Sequence, residues 1–258
     1  MKKCSVLFAL VPLMAILFSC KGGDAKSEIR QLVKEINDQC PIDYDYFTCQ
    51  SAAIQGNEVV MNYMIDETML SLDLMKQKPD LAKKYGGSSI FNENAELGDL
   101  MVKSGLGFTA NYQGSLSGEV VTLKFTNDDI KEIKAHPVSR EELLDWEIQA
   151  TNSTLPRQLD YVTTLVSLSR DGNVVAYTYE IDEDELDMSM MIDGQDQMRA
   201  GIAAQIATLN SPTSSAQTFM RLLREGGKDL HYIYKGNKTG TVLEIKFTNN
   251  ELLDLASE

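Results

Sequence analysis

The clearest hydrophobic pattern in the chain is an alternation of apolar and polar residues that occurs twice, at residues 57–67 and 173–183. Alternate residues of an extended strand point to the same face. One face of each stretch therefore carries only apolar or aromatic side chains, which are Val59, Met61, Tyr63 and Ile65 in the first and Val175, Tyr177, Tyr179 and Ile181 in the second. The pattern predicts a half-buried strand at both places.

A second pair of similar stretches follows in the same order, at residues 112–127 and 234–249. Two matched blocks in the same order indicate that one structural unit occurs twice. The separation is too long for a stacking solenoid repeat, so each copy is predicted to be a domain or half-domain. We place the copies at 26–135 and 139–258, with a linker at 136–138.

Each copy begins with a helical pattern, which in the first has Ile29, Leu32, Val33 and Ile36 on one face. Turn signals and strand patterns then predict a β-hairpin, a helical middle region and a second hairpin. We predict an α+β fold, made of two tandem helix/β-hairpin/helix/β-hairpin units with antiparallel sheet. The arrangement resembles the duplicated architecture of the β-lactamase inhibitory protein family, a resemblance of architecture that transfers no contact residue.

The amino-terminal segment predicts where the protein is located. Two lysines precede an apolar run that is too short to span a bilayer comfortably, which is typical of a secretory signal. The run ends at residues 17–20, Leu-Phe-Ser-Cys, which resemble the lipobox of bacterial lipoproteins; Phe18 departs from the smaller residue usual there. The resemblance implies a signal peptide at 1–19, acylation of Cys20 and a lipidated tether at 20–25.

With its polar residues after Cys20, this region resembles the envelope lipoproteins of Bacteroidetes. We expect a membrane-anchored lipoprotein of the bacterial envelope, in the periplasm or at the cell surface. A plain cleaved secretory signal is the alternative.

The charge of the chain limits its partners. Cleavage before Cys20 removes two lysines and no acid, which leaves 22 Lys and Arg against 38 Asp and Glu, a net charge of −16. Such a surface repels phosphate, so nucleic acid and anionic lipid headgroups are poor partners. A cation or a basic protein surface is the better electrostatic match.

Cys40 and Cys49 remain in the folded part once Cys4 is removed and Cys20 is acylated. Two cysteines in an oxidising compartment predict a disulfide between them. The alternative is a pair of free or metal-bound thiols.

Few residues suggest catalytic chemistry. His136 precedes Pro137 in the predicted linker and His231 lies in a predicted strand; both are expected to be solvated, structural positions. The acidic run at 182–196 has the wrong spacing for an EF-hand and suits a helix start, although cation binding stays open. The methionines at 188–198 favour core or interface packing over copper binding. We assign no catalytic residue, metal site or cofactor.

These observations favour a non-enzymatic, lipid-anchored envelope protein that binds a protein or small ligand. A cleft between the copies or an exposed hairpin edge is the expected binding surface. The repeated tyrosines Tyr63, Tyr179, Tyr112 and Tyr234 are expected in the core. The alternative is a carboxylate-dependent envelope hydrolase that acts on glycan or peptide.

Overall fold

A computed structural model describes residues 24–44, 46–92, 94–208 and 215–256. The predicted signal peptide and Cys20 lie outside the described residues. The described chain divides into two compact units, one ending at Ser139 and the other beginning at Arg140, one residue beyond the predicted linker.

Within the described residues, both units are built from five helices and five strands in the same order. The first unit contains α1 (Ala25–Gln39), β1 (Ile42–Asp43), β2 (Phe47–Gln55), β3 (Glu58–Ile65), α2 (Leu72–Gln77), α3 (Pro79–Phe91), α4 (Ala95–Ser104), β4 (Gly107–Gly114), β5 (Val120–Phe125) and α5 (Asn127–Ala135). The second contains α6 (Arg140–Asn152), β6 (Arg157–Gln158), β7 (Thr163–Asp171), β8 (Val174–Ile181), α7 (Met188–Asp193), α8 (Gln195–Ala207), α9 (Ser215–Glu225), β9 (Asp229–Gly236), β10 (Val242–Phe247) and α10 (Asn249–Asp254). The predicted α+β class and the duplication are confirmed.

Each unit has one five-stranded sheet whose strands lie in chain order, β1-β2-β3-β4-β5 in the first and β6-β7-β8-β9-β10 in the second. The strands within each hairpin are antiparallel, as predicted. The two hairpins of a unit, however, join through a parallel pair, β3 with β4 and β8 with β9. The sheets are therefore mixed, because the three helices between the hairpins form a crossover that returns the chain in its original direction.

The helices pack on the sheet face that carries the alternating apolar residues. The predicted α1 face is buried, and the Asn37 side chain at its end accepts a hydrogen bond from the Ala52 backbone N–H. Asn152, at the end of α6, makes the corresponding bond with the Leu168 N–H. The predicted core tyrosines are confirmed: Tyr63, Tyr112, Tyr179 and Tyr234 are all buried.

Irregular features recur in both units. Strand β2 has a register shift between Cys49 and Ser51, and β7 has the same shift between Leu165 and Ser167. A cis peptide precedes Pro41 and another precedes Pro156. The two units therefore share local backbone geometry as well as element order.

Three short helices were not predicted from the sequence: α2, α5 and α10. The last two begin at capping boxes, in which Thr126 and Asp129, or Thr248 and Glu251, satisfy each other's backbone N–H groups. The sequence signal for these two helices is a threonine followed three residues later by an acid. No helix in the described part of the chain is both long and apolar enough to cross a membrane.

Candidate recognition edge

Each sheet ends on one side at a full-length strand, β5 in the first unit and β10 in the second. Neither has a neighbouring strand on its outer side among the residues that the structure describes. An edge strand presents backbone groups with which an extended segment of another chain can pair. We call β5 and the turn before it, residues 115–125, the recognition edge.

The hydrogen bonding of the hairpin shows which backbone groups face outward. The Gly114 N–H donates to the Glu119 carbonyl at 2.9 Å, and antiparallel strands exchange bonds at every second residue. Val121, Leu123 and Phe125 thus bond to β4. The N–H and C=O groups of Val120, Thr122 and Lys124 point away from the sheet.

A partly exposed carboxylate holds the turn at the start of β5. Glu67, which follows β3, accepts hydrogen bonds from the Leu116 N–H, the Ser117 N–H and the Ser117 hydroxyl, each at 2.7 Å. The Ser117 bonds are the main reason that the pKa of Glu67 is lowered. Gly114 leaves the space for this carboxylate, because a Cβ there would collide with it.

The second unit repeats this device. Glu183 accepts from the Lys238 N–H at 2.6 Å and from the Thr239 N–H and hydroxyl at 2.7 Å. The pKa of Glu183 is lowered, chiefly by the Thr239 backbone bond, and Gly236 makes room for the carboxylate. The acidic pair at the start of the 182–196 run therefore stabilises a turn through hydrogen bonds, as the corresponding pair at 66–67 does.

The side chains along the two edges differ. Val120 and its counterpart Val242 are similarly exposed, at 56 % and 53 %, but the recognition edge also exposes Leu116, at 75 %, and its Thr122 carries no charge. The two charges of the recognition edge are both paired, Lys124 with Glu58 at 2.6 Å and Glu119 with Lys76. On β10 the corresponding central residue is Glu244, which contacts His231 and Lys246, both at 2.8 Å. Charges on an edge discourage strand pairing, so β5 is the less protected edge.

An amide and hydroxyl ladder crosses the sheet face that lies opposite the first unit's core. Asn62 donates to the Ser51 hydroxyl at 2.9 Å and accepts from Asn111 at 2.9 Å, and Asn111 accepts from Thr122 at 2.8 Å. This chain of bonds reaches the recognition edge at Thr122. It ties the edge strand to the three strands behind it.

The other candidates from the sequence occupy structural positions. His136 is exposed beside Glu132 at 3.0 Å, as expected. His231 is less exposed than expected, since it is paired with Glu244 across the hairpin. Met188 and Met191 are buried, whereas Met190 is exposed. Asp187 caps α7 by accepting the Ser189 N–H.

The described residues show neither a metal-binding cluster nor a disulfide bond. The described residues contain no cluster of three or more His, Cys, Asp or Glu that would suit a metal ion. Cys40 and Cys49 are free thiols with their Sγ atoms 3.7 Å apart. A disulfide has an S–S distance of about 2.05 Å. The bridge therefore stays a prediction, with the two sulfurs already neighbours.

A carboxylate hydrolase needs one carboxyl whose pKa is raised, so that it holds the proton it donates. Several acids instead have lowered pKa values, through hydrogen bonds and ion pairs that outweigh burial: Glu58, Glu67, Asp99, Asp129, Glu141, Glu183, Asp187, Glu244 and Glu251. These carboxylates stay ionised and serve structural contacts. Glu147 on α6 is a buried carboxyl that the sequence pattern did not single out.

Comparison with known proteins assigns no family. No family model matches the chain, and no curated protein matches it significantly. A Pseudomonas aeruginosa protein described as secreted is 15 % identical, with a TM-score of 0.37 over 44 % of this chain and 92 % of its own. The pilotin of the Vibrio vulnificus type 2 secretion system is 13 % identical, with a TM-score of 0.32 over 41 % of this chain and 91 % of its own. Likenesses of this strength assign no function.

Proposed function

We propose that the protein is a non-enzymatic, lipid-anchored envelope protein that recognises another protein by adding a strand to β5. The observation that carries this proposal is the recognition edge, whose charges are paired and whose Thr122 is hydrogen-bonded to the strands behind it. Its turn is held by Glu67, and its outward backbone groups belong to Val120, Thr122 and Lys124. Backbone pairing would supply affinity, and the exposed Leu116 and Val120 would supply side-chain contacts.

The lipid on Cys20 would hold this edge near a membrane surface. After cleavage before Cys20 the net charge would be −16, from 22 Lys and Arg against 38 Asp and Glu, so a partner segment rich in lysine or arginine is the electrostatic match. Complementary charge of this kind speeds encounter more than it increases affinity, so association should slow as salt is raised.

Site-specific cross-linking in cells that express the full lipoprotein tests the proposal. A photoreactive residue at Val120 should trap a partner, whereas the same residue at the exposed Asp128 on α5 should not. Replacing Cys20 with serine should release the protein from the membrane. Equal trapping at both positions, or none at Val120 in anchored protein, would contradict recognition through β5.

A matched pair of edge variants sharpens the test. Thr122→Pro removes an outward N–H, and proline is tolerated where a strand N–H faces away from its sheet. Thr122→Val keeps that N–H while removing the same hydroxyl. We expect the partner to be lost with proline and retained with valine, with circular dichroism and thermal melting confirming that both variants fold. A folded proline variant that keeps its partner would rule the edge out.

A further inference from the structure

The two thiols of the first unit lie in unequal surroundings. Cys40 ends α1, where its backbone N–H caps the helix, and its side chain is partly accessible. Cys49 lies on β2, opposite Tyr63, and is fully buried. The Sγ atoms are 3.7 Å apart, so the buried Cys49 sulfur lies beside the sulfur of a partly exposed residue.

Aromatic residues flank the buried thiol, since Phe47 lies two residues before it on β2 and Tyr63 is its cross-strand partner. Tyr44 stacks on Phe47 with ring centroids 4.6 Å apart, and Phe47 meets Tyr63 edge-on at 5.5 Å. Burial, followed by the charge of Cys40, raises the pKa of Cys49 to about 12. Cys49 is therefore a protonated thiol at neutral pH, and thiols react with disulfides as thiolates.

The second unit shows which residues occupy the positions of the two cysteines. Leu155 corresponds to Cys40, since each precedes a cis-proline, and Leu165 corresponds to Cys49, since each lies just before the register shift. Both cysteines are thus replaced together by leucine in a unit of the same fold. The fold accepts two apolar side chains here, so the cysteines are not required by packing alone.

We propose that Cys40 and Cys49 form an ordered thiol oxidation site, in which Cys40 reacts first with an external disulfide and Cys49 resolves the product. The Cys40 thiolate attacks the external disulfide, forming a mixed disulfide and releasing one thiolate. Cys49 then attacks the Cys40 Sγ, which forms the intramolecular bond and expels the second thiolate, and the proton of Cys49 passes to that leaving thiolate. Two electrons pass to the external disulfide, which is reduced to two thiols.

The geometry favours resolution of the mixed disulfide, because the Sγ of Cys49 already lies 3.7 Å from the Sγ of Cys40. The product would join the end of α1 covalently to β2. This order of events goes beyond the proposed recognition function and does not depend on it.

Oxidised glutathione is a suitable probe, with the full lipoprotein as the sample. The tryptic peptide of residues 35–76 contains Cys40 and Cys49 and no other cysteine, so Cys4 and Cys20 do not interfere. In the native protein this peptide should lose two hydrogens and carry no glutathione. Cys49→Ser should accumulate glutathione on Cys40. Cys40→Ser should react at least about tenfold more slowly than Cys49→Ser, because its remaining thiol is buried.

Two controls keep the result interpretable. In denaturant, Cys40→Ser and Cys49→Ser should react at similar rates, which shows that the folded structure causes the difference. The double variant Cys40→Leu/Cys49→Leu copies the second unit and should fold, with a melting temperature that the probe leaves unchanged. Equal rates of the two serine variants in the folded protein, or a native peptide that remains a dithiol, would overturn the proposal.

Discussion

In both units aromatic rings pack against the last strand of the sheet, but one of these rings comes from a different element in each unit. In both, a cation from the central helix lies over a phenylalanine of the last strand: Lys83 over Phe125 at 5.8 Å, and Arg199 over Phe247 at 4.7 Å. In both, that cation also pairs with the acid of the following capping box. The last strand, the helix above it and the cap after it thus form one repeated assembly.

The ring that contacts this phenylalanine edge-on comes from a helix in the first unit and from a strand in the second. In the first unit it is Phe91, the last residue of α3, at 5.4 Å and 81° from Phe125. In the second it is Tyr232 of β9, at 6.1 Å and 82° from Phe247. The position corresponding to Tyr232 is Ala110 in the first unit, and α8 ends with Ala207 where α3 ends with Phe91. One ring and one alanine have exchanged between helix and strand, which conserves core volume.

The largest expected effect comes from removing the ring that each unit uses. Phe91→Ala should destabilise the first unit, and Tyr232→Ala the second, by about 3–5 kcal/mol, because each leaves a cavity. Urea denaturation followed by circular dichroism measures both. Fluorescence of the single tryptophan, Trp146, follows the second unit alone. The double change Phe91→Ala/Ala110→Tyr should recover part of the loss; no recovery would refute the exchange.

Reduction of the predicted Cys40–Cys49 bridge should affect the first unit only. A bridge across so short a loop contributes at most about 3 kcal/mol. Adding reductant to the oxidised protein should lower the urea midpoint of the circular dichroism transition assigned to the first unit. The Trp146 transition should not move. An equal effect on both transitions would show that the effect is not confined to the unit that holds the cysteines.

Two helical glycines should respond in opposite directions. Gly87→Ala in α3 should destabilise by about 1–3 kcal/mol, because its Cβ would meet Ile133 at 2.5 Å and Phe125 at 2.7 Å. Gly201→Ala in α8 should stabilise by about 0.5–1 kcal/mol, because it has open space and alanine is the better helix former. Thermal melting distinguishes the two signs, and a common sign would contradict the different packing of these helices.

The smallest expected effect is the pH dependence of stability that arises from the turn bonded to Glu67. Folding lowers the pKa of Glu67, so its contribution is present above the unfolded pKa and is lost as pH falls through the folded value. Glu67→Gln should therefore be less stable than the native protein at pH 7 and nearly equal to it in strong acid. Urea midpoints across this range measure the convergence. A constant difference at every pH would show that the charge of Glu67 is not responsible.

Much of the fold followed from local patterns. The alternation at 57–67 and 173–183 correctly indicated the inner strands, and Ile29 to Ile36 indicated the buried face of α1. The parallel join between hairpins was missed, because strand direction depends on how the intervening helices return the chain. The role of Glu67 was missed as well, because its partners are 49 and 50 residues away in sequence.

The sequence alone determined the duplication, the α+β class and the positions of most helices and strands, since these depend on periodicity and on turn residues close together in the chain. Only the tertiary structure decided which carboxylates fasten turns, which strand is left at the sheet edge, and which of two neighbouring thiols is accessible. Those properties depend on contacts between residues far apart in sequence, and on what remains uncovered once the sheet and helices have packed.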